Sequence, residues 1–159
     1  MGATRYHFHN AYLLNSSQSC FQEGIIVPMI TSIYASLLAI LYMKITIEVI
    51  KARKSKRIII GLNQDSEMEF LVRSHSNFIE YTPLFLILLF FFEKSLSNYL
   101  FFVHIFGILF LIGRYFHFRA FNKKETRSLR IRGMQLTVFP ILILAFLNLM
   151  SVFLKTFLH

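Results

Sequence analysis

The sequence predicts an all-α integral membrane protein in which four transmembrane helices form one bundle. Of its 159 residues, 55% are hydrophobic and 19 are Phe, and the mean hydropathy is +0.56. The apolar residues are gathered in four runs, each long enough to cross about 30 Å of hydrocarbon at about 1.5 Å per residue of helix. Continuous apolar runs of this length are typical of helices, which satisfy their own backbone hydrogen bonds in lipid.

The four predicted helices cover residues 25–50, 70–92, 99–121 and 134–157. The first becomes amphipathic near Lys44 and Glu48 before a basic stretch. The motif Ser66-Glu-Met-Glu69 has the pattern of a capping box, so the second helix is expected to begin before the membrane does.

Prolines and glycines inside these runs predict little beyond local bending. Pro83 and Pro140 each free a backbone carbonyl of the preceding turn, and a tolerated kink is the simplest interpretation. Gly107 and Gly113 are six residues apart, which is not the four-residue spacing of closely crossing helices. Their spacing therefore gives little reason to infer a close helix crossing.

The charge distribution predicts how the chain lies in the membrane. The formal net charge is +9, but most of the Lys and Arg lie in the connections between helices one and two and between helices three and four. Between helices two and three, residues 93–98 carry only Lys94. Short cytoplasmic connections are rich in Lys and Arg, so both basic connections should be cytoplasmic, with both termini on the opposite side. This clustering indicates a lipid bilayer as the partner and no nucleic acid.

The polar and aromatic segment 1–23 precedes the predicted membrane domain, residues 24–159. It lacks the compact apolar core of a signal peptide, so we expect it to be uncleaved and interfacial or partly disordered. Cys20 is the single cysteine, which excludes an intrachain disulfide. His7 and His9 have no third ligand nearby, so no metal site is predicted.

Arg73, Asn77 and Glu80 interrupt the second apolar run. At positions i, i+4 and i+7 they share one helical face and form a polar stripe. An ionisable residue at bilayer depth costs about 2.5–3.5 kcal/mol on insertion scales and marks a candidate functional site.

The third run carries Arg114 and His117 on one face. Glu80 lies about 13 Å from the start of helix two, and Arg114 about 10 Å from the end of helix three. Because these depths match, we predict an ion pair between Glu80 and Arg114. The pair could serve a ligand or simply fix helix register.

Arg53, Arg73 and Arg130, with His117, are predicted to form a positively charged funnel at the cytoplasmic end. Such a funnel suits an anionic polar molecule. For Arg53 and Arg130, contact with lipid headgroups is the open alternative.

The motif Arg73-x3-Asn77-x2-Glu80-Tyr81-x-Pro83-Leu84 resembles the signature of the MAPEG family, the membrane-associated proteins of eicosanoid and glutathione metabolism. Further matches follow the family's order over about residues 30–155, closest to its short bacterial members. They are Glu48-Val-Ile-Lys-Ala-Arg53, Gly113-Arg114-x2-His117 and Arg130-x2-Gly133-Met134-x-Leu136-Thr137.

The resemblance implies a homotrimer in the bacterial inner membrane, with glutathione bound between neighbouring subunits near the cytoplasmic face. Arg130 matches the arginine that points at the glutathione sulfur in catalytic members. The glutathione-binding residues implied by the same matches are Arg53, Arg73, Asn77, Glu80, Tyr81, Arg114 and His117.

The implied activity is that of a glutathione transferase acting on hydrophobic electrophiles in detoxification, with glutathione-dependent peroxidase activity as a second reaction. A non-catalytic lipid-binding protein of the same fold is the alternative, since some members have lost catalysis. A channel or transporter would need a continuous polar path, which the apolar outer halves of the helices do not offer.

Overall fold

A computed structural model describes residues 29–95, 100–122 and 127–157, with side chains described to residue 120 in the second range and from residue 30 in the first. The described residues form four helices, all long and apolar enough to cross a membrane. The predicted all-α four-helix membrane bundle is therefore confirmed. The interpretations of segment 1–23, including His7, His9 and Cys20, lie outside the described residues. The helices are α1 (Met29–Lys56), α2 (Ser66–Ser95), α3 (Leu100–Asn122) and α4 (Arg127–Phe157).

Successive helices run antiparallel. α1 and α2 are antiparallel, because Lys56 at the end of α1 binds Asp65 at the start of α2. α2 and α4 point in the same direction, because Asn148 near the end of α4 donates to the carbonyl of Leu88 near the end of α2. α2 and α3 form the centre, since each packs against the other, against α1 and against α4, whereas the described parts of α1 and α4 do not touch. The connection 57–65, the end of α3 and the start of α4 lie at one end of the bundle, called here the basic end.

α1 runs through the basic stretch to Lys56 instead of ending near residue 50. It stops where Arg57 adopts a φ of 54° and the Ile58 N–H donates to the carbonyl of Arg53 at 3.0 Å. These features make a Schellman-type helix end in which Arg57 takes the position usually held by glycine. A left-handed conformation costs a non-glycine residue about 1–2 kcal/mol.

Asp65, and not the predicted Ser66, caps α2. Its Oδ1 accepts the backbone N–H of Met68 at 2.8 Å, the position that a helix N-cap serves. Lys56 Nζ binds both Asp65 carboxylate oxygens, at 2.7 and 2.6 Å. The hydrogen bonds that the Asp65 carboxylate accepts from Lys56 and from the Met68 N–H lower the pKa of this carboxyl below its ordinary value.

Glu93 was assigned by the sequence to a connection, but it lies inside α2 and is only 8% exposed. Its carboxylate accepts the backbone N–H groups of Ile30 at 3.1 Å and Thr31 at 2.9 Å, and the Thr31 hydroxyl at 2.6 Å. Glu93 thus satisfies the open donors of the first turn of α1, where the helix dipole favours negative charge.

Two glycines of α3 mark close helix contacts that their six-residue spacing did not indicate. A Cβ on Gly107 would lie 2.4 Å from the ring of Tyr34 on α1, and one on Gly113 would lie 3.1 Å from the carbonyl oxygen of Gly133 on α4. A Cβ on Gly133 would lie 2.7 Å from the backbone nitrogen of His117. The close crossing is thus made by one glycine from each of α3 and α4, so no spacing within one helix reveals it.

Candidate functional site

A cavity of about 560 Å³ opens between α2, α3 and α4 toward the basic end. It is lined by five of the residues that the sequence singled out, from all three helices. These are Arg73, Asn77, Glu80, His117 and Arg130. The predicted polar stripe of α2 therefore faces one shared space, together with side chains from α3 and α4.

The close crossing of α3 and α4 brings the far wall of the cavity together. His117 on α3 is buried, and its backbone lies against Gly133, so α4 can approach without a side chain in between. Arg130, one turn before Gly133, lines the cavity, and Met134, the residue directly after Gly133, lines it as well. Arg127 and Arg132, the other arginines of this turn, are exposed and do not line the cavity.

Arg73 is held loosely at the cavity mouth. Its guanidinium contacts Glu69 Oε1 from both Nε and Nη2 at 2.8 Å, with side-chain exposures of 70% for Arg73 and 41% for Glu69. A solvent-exposed ion pair of this kind contributes about 0–1 kcal/mol. An incoming carboxylate can therefore take the place of Glu69 at little cost.

Arg114 lies behind the cavity and is 1% exposed. Its Nη1 donates to Asn77 Oδ1 at 2.7 Å, and its Nε and Nη2 donate to Thr137 Oγ1 at 3.1 and 2.6 Å. The rings of Tyr81 and Phe110 each lie 5.6 Å from its guanidinium carbon, a cation–π distance.

The predicted ion pair between Glu80 and Arg114 is wrong for the single chain. Glu80 is exposed, and the ion pairs found among the described residues do not include it. The depth estimate considered α2 and α3 alone, whereas Thr137 on α4 supplies the nearest oxygen to Arg114. Glu80 keeps its carboxylate available at the cavity surface.

Thr137 is a residue whose importance sequence reasoning missed. It is fully buried, accepts two N–H groups from Arg114 and donates its own proton to the carbonyl of Gly133 at 2.8 Å. The signal was a hydroxyl residue inside an apolar run, one turn after a glycine that meets another helix.

Asn77 connects this buried network to the cavity. Because Arg114 donates to its Oδ1, its amide nitrogen points to the other side, where it lies 3.9 Å from Met134 Sδ. Arg114 and Thr137 thereby fix the orientation in which Asn77 presents its N–H groups beside the cavity wall.

Arg53, Tyr81 and Arg114 do not line the cavity. Arg53 donates to the carbonyl of Gly61 at 3.2 Å and so ties the connection 57–65 to α1. Tyr81 is half-buried against Arg114. Direct binding of a ligand by these three residues stays a prediction, and the described contacts give each of them a structural role.

The cavity is lined by two guanidinium groups, from Arg73 and Arg130, two carboxylates, from Glu69 and Glu80, an amide and an imidazole. Glu69 is paired with Arg73 in an exposed ion pair. Once that pair is exchanged, the two guanidinium groups and Glu80 match a ligand that carries two carboxylates and one ammonium group, because each charge of the ligand then meets its opposite. Among the described residues, no group of three or more His, Cys, Asp or Glu side chains is placed to hold a metal ion.

Comparison with known proteins gives matches of two kinds, and each covers about three quarters of the chain. A family model described as MAPEG family matches residues 31–150. Inner membrane protein YecN of Escherichia coli K12 is 34% identical over 121 residues, which cover 76% of this chain and 91% of YecN. The protein of that name from Escherichia coli O6:H1 strain CFT073 has the same identity and coverage.

Proposed function

The chain belongs to the MAPEG family of membrane proteins, and from this premise we propose that it is a membrane-bound glutathione transferase. In this proposal the protein activates glutathione as the thiolate for attack on lipophilic electrophiles. The observation that carries the proposal is the cavity in which Arg73, Glu80 and Arg130 surround one space at the basic end.

The charges of glutathione suit those of the cavity. The tripeptide has two carboxylates and one ammonium group, and the cavity has two arginines and two glutamates, of which Glu69 is paired with Arg73 and Glu80 is outside the described ion pairs. In the proposed pose, Arg73 exchanges Glu69 for a glutathione carboxylate, and Glu80 receives the ammonium group. Asn77 donates to a peptide carbonyl from its fixed amide.

Arg130 is the proposed activating residue. A free thiol with a pKa of about 8.5 is mostly protonated at neutral pH, and the thiolate is the nucleophile. A guanidinium at the sulfur stabilises the thiolate, and each pKa unit of lowering corresponds to about 1.4 kcal/mol. The thiolate then forms a carbon–sulfur bond with the electrophile, whose leaving group departs with the bonding electrons.

A lipid hydroperoxide is the second proposed substrate class. The thiolate attacks the terminal peroxide oxygen, so that a sulfur–oxygen bond forms as the oxygen–oxygen bond breaks, and the lipid alkoxide leaves and takes up a proton. A second glutathione thiol then attacks the sulfur of the resulting sulfenic acid, which releases water and forms glutathione disulfide. Both reactions use the same cavity and the same sulfur position beside Arg130.

The proposed assembly is a homotrimer in the inner membrane with its basic end in the cytoplasm. The cavity opens on the surface of the single chain, so a neighbouring subunit could complete it. An inner membrane relative and the positive-inside rule support the location and the orientation. A cytoplasmic basic end would give the site access to soluble glutathione, while the hydrophobic substrate would arrive from the bilayer.

A non-catalytic lipid-binding protein of the same fold is the second candidate. The network of Asn77, Arg114 and Thr137 favours it in one respect, because it uses part of the polar stripe to hold three helices together. If every polar residue of the stripe were structural, the cavity would need no glutathione.

Dinitrophenyl transfer from chlorodinitrobenzene to glutathione tests the proposal in purified protein. The wild type should show turnover, Arg130→Ala should lose it, and Arg132→Ala should keep it, because Arg132 is an exposed arginine of the same helix that does not line the cavity. Equal activity of both variants would remove Arg130 from the chemistry. No glutathione binding by the wild type would favour the lipid-binding candidate.

A further inference from the structure

A second cavity lies on the opposite side of α3, between α1 and α3, with a volume of about 580 Å³. We call it the α1–α3 groove. Its surface is almost wholly apolar, and the two lining residues that carry polar groups, whose carbon atoms line the groove, lie at one end. The walls include Leu37, Leu41, Leu111 and Ile112, and the polar end has Lys44 and Tyr115.

The polar end of the groove points toward the basic end of the bundle. α1 and α3 run parallel, since Tyr34 packs on Gly107 and its hydroxyl lies 3.0 Å from His104 Nδ1. Lys44 is ten residues beyond Tyr34, and Tyr115 is eleven beyond His104, so both lie about 15 Å further along at about 1.5 Å per residue. The aliphatic part of the groove thus extends away from them toward the membrane interior.

Two cations lie at this end of the groove: Lys44, which lines it, and Arg119, which does not line it but contacts the ring of Tyr115. Lys44 is exposed and forms no ion pair with any residue within 29–95, 100–120 or 127–157. The Arg119 guanidinium carbon lies 5.9 Å from the ring centroid of Tyr115. A lysine at bilayer depth extends its aliphatic side chain so that its ammonium group reaches toward the interface. For Lys44 this extension brings the ammonium group to the level of Arg119 along the bundle. Glu48, one turn beyond Lys44, is the acidic residue nearest on α1 and is half-buried.

We propose that the α1–α3 groove binds one anionic phospholipid from the leaflet at the basic end. An acyl chain lies against Leu41 and Ile112, and the phosphate lies between Lys44 and Arg119. An aliphatic wall with two cations at its headgroup end complements an anionic amphiphile, whereas a neutral or zwitterionic lipid leaves the cations without a full counter-charge.

This site is separate from the proposed glutathione site. Tyr115 and His117 are two residues apart on α3, about 200° around the helix, and they face different cavities. Lipid binding therefore does not rest on the proposed function, and loss of either site should leave binding at the other unchanged.

Lipid retention tests the proposal with the full-length protein. The protein is reconstituted in bilayers with equal amounts of phosphatidylglycerol and phosphatidylcholine, extracted in mild detergent, and the retained lipids are counted per chain by mass spectrometry. We expect about one phosphatidylglycerol per chain and a several-fold enrichment of it over phosphatidylcholine. Equal retention of the two lipids by the wild type would overturn the proposal without any variant.

Substitutions locate the site. Lys44→Gln with Arg119→Gln should abolish the enrichment, and Ile112→Trp should reduce it by filling the groove. Lys51→Gln is the matched control, because Lys51 is an exposed cation of α1 that does not line this groove. If Lys51→Gln lost as much enrichment as the double variant, or if the double variant retained it, the lipid would be held by the general basic charge and the site would be wrong. An unchanged midpoint of thermal unfolding in these variants shows that they are folded.

Discussion

Thr137 Oγ1 accepts two hydrogen bonds from Arg114, one from Nε at 3.1 Å and one from Nη2 at 2.6 Å. The buried guanidinium is therefore held by a hydroxyl of α4 and the amide of Asn77 on α2, and no carboxylate is among these partners. Neutral partners that satisfy its N–H groups keep the helices in register while Glu80 remains at the cavity.

Thr137→Val should destabilise the protein, because it keeps the side-chain shape and removes the oxygen that Arg114 uses. Leaving buried donors unsatisfied costs about 1–3 kcal/mol, and more for a charged group. Thermal unfolding in detergent measures the effect. Thr137→Ser retains the oxygen, and Thr156→Val changes an exposed threonine of the same helix. A Thr137→Val variant as stable as these two controls would refute the role of the hydroxyl.

Glu80→Gln should lower glutathione affinity by about tenfold or more, since a hydrogen bond to a charged group contributes about 1.5–3 kcal/mol. The midpoint of thermal unfolding should stay unchanged, because Glu80 is exposed and outside the described ion pairs. Calorimetric titration and thermal unfolding of the same sample check both parts. Glu69→Gln removes an acid that also lines the cavity and pairs with Arg73, so it should bind glutathione at least as well as the wild type. A large loss of stability in Glu80→Gln would mean that the carboxylate is structural after all.

Gly133→Ala should separate α3 and α4. Its Cβ would lie 2.7 Å from the backbone nitrogen of His117, which cannot rotate away as a side chain could. Forced overpacking typically costs about 1–3 kcal/mol, and here it also moves the wall that carries Arg130. Thermal unfolding and glutathione binding should both weaken, whereas Gln135→Ala, at an exposed position of α4, should change neither. Normal stability in Gly133→Ala would show that the crossing is less tight than described.

Asp65→Asn should remove one source of pH dependence in stability. The pKa of Asp65 is lower in the folded protein, so its contribution is present above the unfolded pKa of about 3.9 and is lost as pH falls through the folded value. Asparagine can still cap α2, so the comparison isolates the charge paired with Lys56. At neutral pH the wild type should unfold at a higher temperature than Asp65→Asn. The difference between the two unfolding temperatures should become smaller as the pH falls into the acid range. A gap independent of pH would contradict the role of this carboxylate.

Hydropathy predicted the number and order of the helices because burial in lipid requires long apolar runs, and these are visible in the chain. It placed helix ends less well. α1 continues through the basic residues to Lys56, and α4 begins already at Arg127. Outside the hydrocarbon, backbone hydrogen bonds and caps decide where a helix stops, and apolar composition carries no information about them.

The part of the candidate site that lies on one helix could be predicted from the sequence. The contacts that depend on several helices packing together were harder to predict. The spacing of Arg73, Asn77 and Glu80 placed them correctly on one cavity. The partner of Arg114 was mistaken because the choice depends on how α4 packs, and the meeting of Gly113 with Gly133 lies between helices. Such contacts come from tertiary packing that no spacing within one helix encodes.

The most direct test of the central claim is the ultraviolet difference absorbance of the thiolate when glutathione is added to the purified protein at neutral pH. If Arg130 activates the thiol, a thiolate band should appear in the wild type and in Arg132→Ala and be lost in Arg130→Ala, where the guanidinium at the cavity is missing. A band that persists in Arg130→Ala, or glutathione that binds to the wild type entirely as the thiol, would contradict it.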